Sequence, residues 1–222
     1  MNLVIIETAD GSHTLFNAAL NETYHSRHGA RQESVHIYIE HGLKHRLAGT
    51  NRVRVLEVGF GTGLNIWLTA LEALPRTEIQ FFVHTVEPFP LSWEVIAATH
   101  LFTAHEHAAL AQQMHSAPWN VPVQLLPNLQ ITKHSTPVLA APLAHTFFDV
   151  IYFDAFAPEK QPEMWTPAVL TQMFEVLAPG GVLVTYCAKG QLKRDLRSCG
   201  FVVEALPGPP GKREMVRAVK VV

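Results

Sequence analysis

Cysteine is nearly absent from this 222-residue sequence, where Cys187 and Cys199 are the only two. Two thiols cannot build a disulfide framework, and their spacing is not that of a zinc site, so the chain reads as one kept in a reducing compartment. No apolar run approaches the roughly 18 residues that a membrane span requires, and no basic segment followed by an apolar stretch marks a secretory signal. These absences predict a cytoplasmic protein with no membrane partner. A strong charge of either sign is also missing, because 17 basic and 19 acidic residues leave a formal net charge of -2. A global positive field for nonspecific nucleic-acid binding is therefore excluded, and any RNA contact has to be local. The 13 histidines do not make a metal site. His105-Glu106-His107 sets its imidazoles two apart, on different helix faces, and is not H-E-x-x-H.

What is present is an alternation of strand-like and helix-like segments without internal repeats, with 48% hydrophobic residues, enough for one sizeable core. Asp10-Gly11 between Val4-Ile5-Ile6 and Thr14-Leu15-Phe16 predicts a hairpin. Val35, Ile39 and Leu43 recur every four residues and predict a helix over 32–46. These make an appendage, residues 1–48, in front of a core domain, residues 49–222. In the core, strands are predicted at 53–58, 79–86, 148–153, 182–186, 201–206 and 215–221, with another within 121–132, and helices fall between them. Such an order implies an α/β fold with a doubly wound, mainly parallel seven-stranded sheet of Rossmann-like type.

The run Val53-Arg54-Val55-Leu56-Glu57-Val58 ends in Gly59-Phe60-Gly61-Thr62-Gly63, and helical composition follows from Leu64. A strand, a glycine loop and a helix start let backbone amides approach a ligand. The glycine spacing departs from the dinucleotide fingerprint G-x-G-x-x-G, and the acid comes before the loop. The pattern E-x-G-x-G-x-G looks like motif I of the class I S-adenosylmethionine-dependent methyltransferases. Glu57, Glu87 and Asp154 each stand at a predicted strand end, where open α/β sheets bind ligands. Glu87 follows the loop at a distance where two acceptor oxygens can take both hydroxyls of a ribose, so an adenosyl ligand fits. Residues 128–136 carry no Asp or Glu, which leaves the adenine to backbone groups, to His134 or Ser135, and to packing.

Asp154-Ala155-Phe156-Ala157-Pro158-Glu159-Lys160-Gln161-Pro162-Glu163-Met164-Trp165 combines an acid with two aromatics and is stiffened by prolines. The loop is similar in role to the D-P-P-Y type loop of amino methyltransferases, in which a carboxylate meets the acceptor amine between aromatic rings. Methyl transfer needs an unprotonated nitrogen in line with the methyl group, and Asp154 is the candidate to orient the amine and take its proton.

Four motifs in order, Glu57 to Asn65, Glu87 to Leu91, Asp154 to Trp165 and Gly211-Lys212-Arg213-Glu214-Met215, resemble the methyltransferase domain of the bacterial MnmC family. The resemblance implies N-methylation of 5-aminomethyl-2-thiouridine at the tRNA wobble position, with S-adenosylmethionine as donor and 5-methylaminomethyl-2-thiouridine as product. It implies Asp154 as the catalytic residue. Around the donor it implies Glu57, Gly59, Phe60, Gly61, Gly63, Asn65, Glu87 and Pro88. In many relatives this domain is fused to an FAD-dependent oxidoreductase. A chain of this length is expected to stand alone, to bind no flavin, and to work with a separate oxidoreductase if one exists.

Lys189, Lys212 and Arg213 are candidates for phosphates near the anticodon, against the alternative of ordinary solvated charge. Phe156, Pro158, Lys160 and Trp165 are expected on the acceptor side, and Tyr24 and Glu33 belong either to the substrate pocket or to packing of the appendage. Two other readings stay open from the residues alone. One is a class I amine methyltransferase or aminopropyltransferase acting on a small molecule, and the other is an adenosyl-binding module without catalysis.

Overall fold

The computed structural model describes residues 3–9, 11–102 and 106–221, so Asp10 of the expected turn and His105 lie outside the described residues. The chain opens with β1 (Leu3–Glu7), β2 (His13–Asn17) and β3 (Glu22–Thr23), an antiparallel sheet in the order β1-β2-β3. The expected hairpin is there, extended by a third strand. The expected helix over 32–46 is three pieces: α1 (Ala30–Ser34), a π-helical run Val35–Leu43, and α2 (Lys44–Leu47). A π-helix turns more slowly than an α-helix, and it is a rare element frequently found at functional sites. The buried face therefore shifts to Ile37, Tyr38, Ile39, Gly42 and Leu43. A side chain at Gly42 would meet Val184 Cγ2 at 2.9 Å, so this glycine lets the π-helical run lie directly on the sheet.

The core continues through β4 (Arg52–Val58), α3 (Leu64–Ala73), β5 (Gln80–Val86), α4 (Trp93–Ala98), α5 (Ala108–Ser116), β6 (Pro122–Leu126), β7 (Leu129–His134), β8 (Phe148–Phe153), α6 (Pro167–Val176), β9 (Leu177–Thr185), α7 (Gly190–Ser198), β10 (Val202–Pro207) and β11 (Glu214–Val219). The sheet has eight strands in the order β10-β11-β9-β8-β4-β5-β7-β6, against the seven expected. The difference arises at residues 121–132. Pro127 and Asn128 turn the chain there, so the segment folds back as an antiparallel hairpin whose first strand becomes the sheet edge. The inner strands β7, β5, β4, β8 and β9 pair in parallel. The central strands β4, β8 and β9 are apolar over most of their length, as strands covered by helices on both faces are. One buried cluster, with Trp67, Tyr38 and Phe81, fills one side of the sheet, and a second, with Phe148, Leu170 and Met173, fills the other.

Strand β11 runs antiparallel to β9, and β10 antiparallel to β11. The direction of β10 is therefore that of the core strands, and the β10–β11 loop emerges at their carboxyl ends, beside the loops after β4, β5 and β8. Among the described residues, no helix is long and apolar enough to cross a membrane, and no group of three His, Cys, Asp or Glu side chains could hold a metal ion.

Candidate active site

Backbone hydrogen bonds tie the carboxyl ends of neighbouring strands together. Gly59 N–H donates to Val86 O at 3.0 Å, Asp154 N–H to Val58 O at 3.0 Å, and Glu87 N–H to His134 O at 2.9 Å. These bonds bring the glycine loop, Glu87 and Asp154 to one edge. They open onto a cavity of about 570 Å³, within the range of roughly 300–1,000 Å³ typical of small-molecule sites. Gly59, Gly61 and Gly63 all have positive φ, the backbone state in which side chains are strained.

Glu87 faces the glycine loop across the cavity. Its Oε2 accepts from Gly61 N–H at 3.2 Å and its Oε1 from Phe89 N–H at 2.9 Å. Each oxygen retains a lone pair for a ligand hydroxyl. Burial raises the carboxyl above its ordinary range, while the two backbone donors oppose the shift. Two acceptors beside a loop of side-chain-free backbone fit a ribose diol and its attached groups. Beyond Glu87, Pro137 and Val138 line the cavity. His134 is turned away, its Nε2 at 3.0 Å from His84 Nδ1.

At the other end Asp154 is clamped. Tyr38 Oη donates to Asp154 Oδ1 at 2.6 Å and Asn65 Nδ2 donates to Oδ2 at 2.8 Å. Burial pushes the Asp154 carboxyl up to about 6, and these two donors, by stabilising the anion, hold it from rising further. Glu33 pushes in the same direction as burial and Lys212 in the opposite one. Tyr24 lies against Gly61, and its ring meets that of Phe156 edge-on at 5.1 Å. Tyr186 donates to Ala155 O at 2.9 Å and carries Lys212 Nζ 4.0 Å above its ring.

Of the residues expected around the donor, Gly59, Phe60, Gly61, Asn65, Glu87 and Pro88 line the cavity. Glu57 and Gly63 do not. Glu57 is fully buried beneath the floor, where its Oε2 accepts from Thr85 Oγ1 at 2.7 Å. The side chain of Glu57 points into the sheet face, because strand alternation turns it away from the loop it precedes. Gly63 instead packs on Met114 and His115, close to which a Cβ would stand at 2.7 and 2.9 Å.

Of the residues expected on the acceptor side, Tyr24, Glu33, Phe156 and Lys160 line the cavity. So does Lys212, which is not a free surface cation as expected: its Nζ is 2.5 Å from Glu33 Oε1. Pro158, Trp165 and Lys189 face a separate shallow pocket. Trp165 is buried and braces the loop by donating from Nε1 to Phe156 O at 2.8 Å, and Lys189 pairs with Glu159. Arg213 is exposed and does not reach the cavity. The residue that sequence reasoning missed is Tyr38, which stands 116 positions before its partner with no motif around it. Replacing it with Phe removes a donor to a charged group, an interaction worth roughly 1.5–3 kcal/mol. Because that donor lowers the Asp154 pKa, the acid limb of the pH–rate profile should move to higher pH in Tyr38→Phe, which steady-state rates from pH 5 to 9 will show.

A family model described as S-adenosyl-L-methionine-dependent methyltransferase matches residues 129–221. The MnmC bifunctional protein of tRNA 5-methylaminomethyl-2-thiouridine biosynthesis from Ralstonia nicotianae is 32% identical over 219 residues, covering 92% of this chain and 33% of that protein. Its counterpart in Aromatoleum aromaticum is 30% identical, covering 95% of this chain and 34% of its own length. This chain is an S-adenosyl-L-methionine-dependent methyltransferase, similar over nearly its whole length to one third of the MnmC bifunctional proteins. The methyltransferase spans about a third of the length of these curated relatives. The crystal structure of MnmC2 from Aquifex aeolicus shares the fold with a TM-score of 0.77 at 22% identity, over 98% of this chain and 69% of that one. Spermidine synthase from Thermotoga maritima shares it at 0.60 and 15% identity, again over 98% and 69%. The class I methyltransferase fold expected of the sequence is thus the fold found.

Proposed function

We propose that this methyltransferase N-methylates the 5-aminomethyl group of 5-aminomethyl-2-thiouridine at the tRNA wobble position, giving 5-methylaminomethyl-2-thiouridine. The observation that carries the reading is the Asp154 carboxylate, clamped by Tyr38 and Asn65 in the same cavity as the glycine loop and Glu87. S-adenosylmethionine supplies an electrophilic methyl group on a sulfonium, which passes to the amine nitrogen and leaves S-adenosylhomocysteine. Glu87 would hold the ribose and the loop of Gly59 and Gly61 would lie along the donor, with Phe60, Asn65 and Pro88 around it. Asp154, ionised above about pH 6, orients the amine and accepts its proton as the N–C bond forms. A carboxylate near 6 is a better base than an ordinary aspartate near 3.9. Tyr38 and Asn65 fix both its oxygens, so its position is set before the amine arrives.

Tyr24 and Phe156 would flank the pyrimidine ring, which has to leave its stack to reach the cavity. Lys160 and the exposed Arg213 would meet phosphates of the anticodon region, and the slight net negative charge makes that contact local and salt-sensitive. The same reading divides the chain into the appendage, 1–48, and the methyltransferase domain, 49–222, and sets it in the cytoplasm with an FAD-dependent oxidoreductase to supply the aminomethyl substrate. Incubating the chain with S-adenosylmethionine and tRNA bearing 5-aminomethyl-2-thiouridine should add one methyl group to that nucleoside. Mass spectrometry of the digested tRNA reads the result, and an unchanged nucleoside rejects the assignment.

A further inference from the structure

Lys133 is a buried lysine that the chemistry above does not use. Its side chain is 1% exposed, although it sits on β7 at the carboxyl edge of the sheet. Its Nζ donates to His115 O at 2.7 Å and stands over the rings of Trp119, at 4.6 Å, and Phe60, at 5.6 Å. Burial pulls it down to about 8, which leaves it mainly charged at neutral pH. A cation kept this deep costs desolvation, so its interactions have to offset that cost. The backbone carbonyl and two aromatic faces supply the compensation.

The group it holds leads straight to the donor loop. His115 places Nε2 at 2.9 Å from Thr62 O, which as a carbonyl can only accept, so Nε2 carries the hydrogen. Burial and the Lys133 charge both oppose a second proton on that ring, which keeps it in the neutral form with its hydrogen on Nε2. The His115 ring also packs on Phe60, at 5.1 Å between centroids. Phe60 in turn lines the cavity. On the far side of Thr62, the hydroxyl meets His25 Nε2 at 3.1 Å, so the loop is gripped from both the appendage and α5.

We propose that Lys133 is a positioning residue for methyl-donor binding: it anchors the end of α5, sets His115 on Thr62 O and Phe60, and thereby holds the glycine loop in its binding shape. The inference rests on the donor reading of the cavity. A preformed loop spares the donor the cost of ordering it, so the effect belongs in affinity and not in the chemical step. Lys133→Met keeps the apolar stem and removes the ammonium. It should weaken S-adenosylhomocysteine binding by about tenfold, the size of one charge-assisted hydrogen bond. The rate at saturating donor should stay within about twofold. Calorimetry on the full chain measures the first and single-turnover rates the second. His115→Leu should weaken binding alike, while His115→Gln, which can still present an N–H to Thr62 O, should recover most of it. Adding Lys133→Met to His115→Leu should cost little more than either alone, because both break the same linkage. Unchanged affinity in Lys133→Met, or a fall in rate at saturating donor with affinity intact, overturns the proposal. If Lys133→Met does not fold, equal affinities of the two His115 variants overturn it instead. Failure of the wild-type chain to bind S-adenosylhomocysteine would reject the donor reading itself, a separate outcome.

Discussion

Replacing Asp154 with Ala is expected to lower the single-turnover rate by a factor on the order of 10²–10⁴, the usual contribution of a positioned acid or base. Donor affinity should change little if, as proposed, Asp154 faces the acceptor and Glu87 the ribose: Tyr38 and Asn65 hold the one carboxylate, and Gly61 N–H of the glycine loop meets the other. Asp154→Asn tests the same point with less change of shape: the amide can still fill the clamp but cannot take a proton. The wild-type rate should rise with pH through about 6 and then level off, since only the ionised carboxylate accepts the proton. That limb should vanish in both variants. Rates across pH, with calorimetry for S-adenosylhomocysteine, decide the matter. A large loss of affinity in Asp154→Ala would move Asp154 from the acceptor to the donor.

The second large effect is expected at Gly59. Its φ is +92°, and a Cβ there would stand 2.7 Å from the backbone oxygen of Asp154. The nearest atom is main chain, so no side-chain rotation relieves the clash. Gly59→Ala therefore has to shift either the glycine loop or the strand end that carries Asp154. Backbone strain of roughly 1–3 kcal/mol adds to overpacking of similar size. The variant should melt well below wild type and lose donor binding, readable by thermal denaturation with and without S-adenosylhomocysteine. Gly49, also at positive φ but with open space where a Cβ would go, is the control, and Gly49→Ala should cost only its local strain. A Gly59→Ala protein with wild-type melting and affinity would mean that the loop and the Asp154 strand end are not in contact.

The donor half of the site was legible because its parts are contiguous. Strand β4, the glycine loop and the start of α3 follow one another within residues 52–73, and local backbone rules are enough to read them. Even there the reach of Glu57 was not legible: a residue beside the loop in sequence lies under it in space, since the face it takes depends on strand alternation and on what packs below. The edge hairpin at residues 122–134 was legible only as a broken strand. Whether Pro127 interrupts one strand or separates two depends on the pairing of β6 with β7.

The acceptor half is assembled from remote positions. Tyr38 reaches Asp154 from within a π-helical run, and an apolar spacing of four does not reveal that. Lys212 shows the same limit in its electrostatics. Next to Arg213 in a glycine- and proline-rich loop it reads as a phosphate ligand, yet it turns inward to Glu33, 179 positions away, while Arg213 stays outside.

Short segments were enough to establish the α/β alternation, the glycine loop with an acid at each of three strand ends, and the proline-stiffened loop that opens on Asp154. These are properties of short segments, where composition and spacing limit the backbone to few states. The tertiary structure decided which carboxylates face the cavity, which cation is free, and what holds Asp154 and Thr62 in place. Those depend on contacts between distant parts of the chain, whose closeness is set by packing and strand order and is written in no single segment.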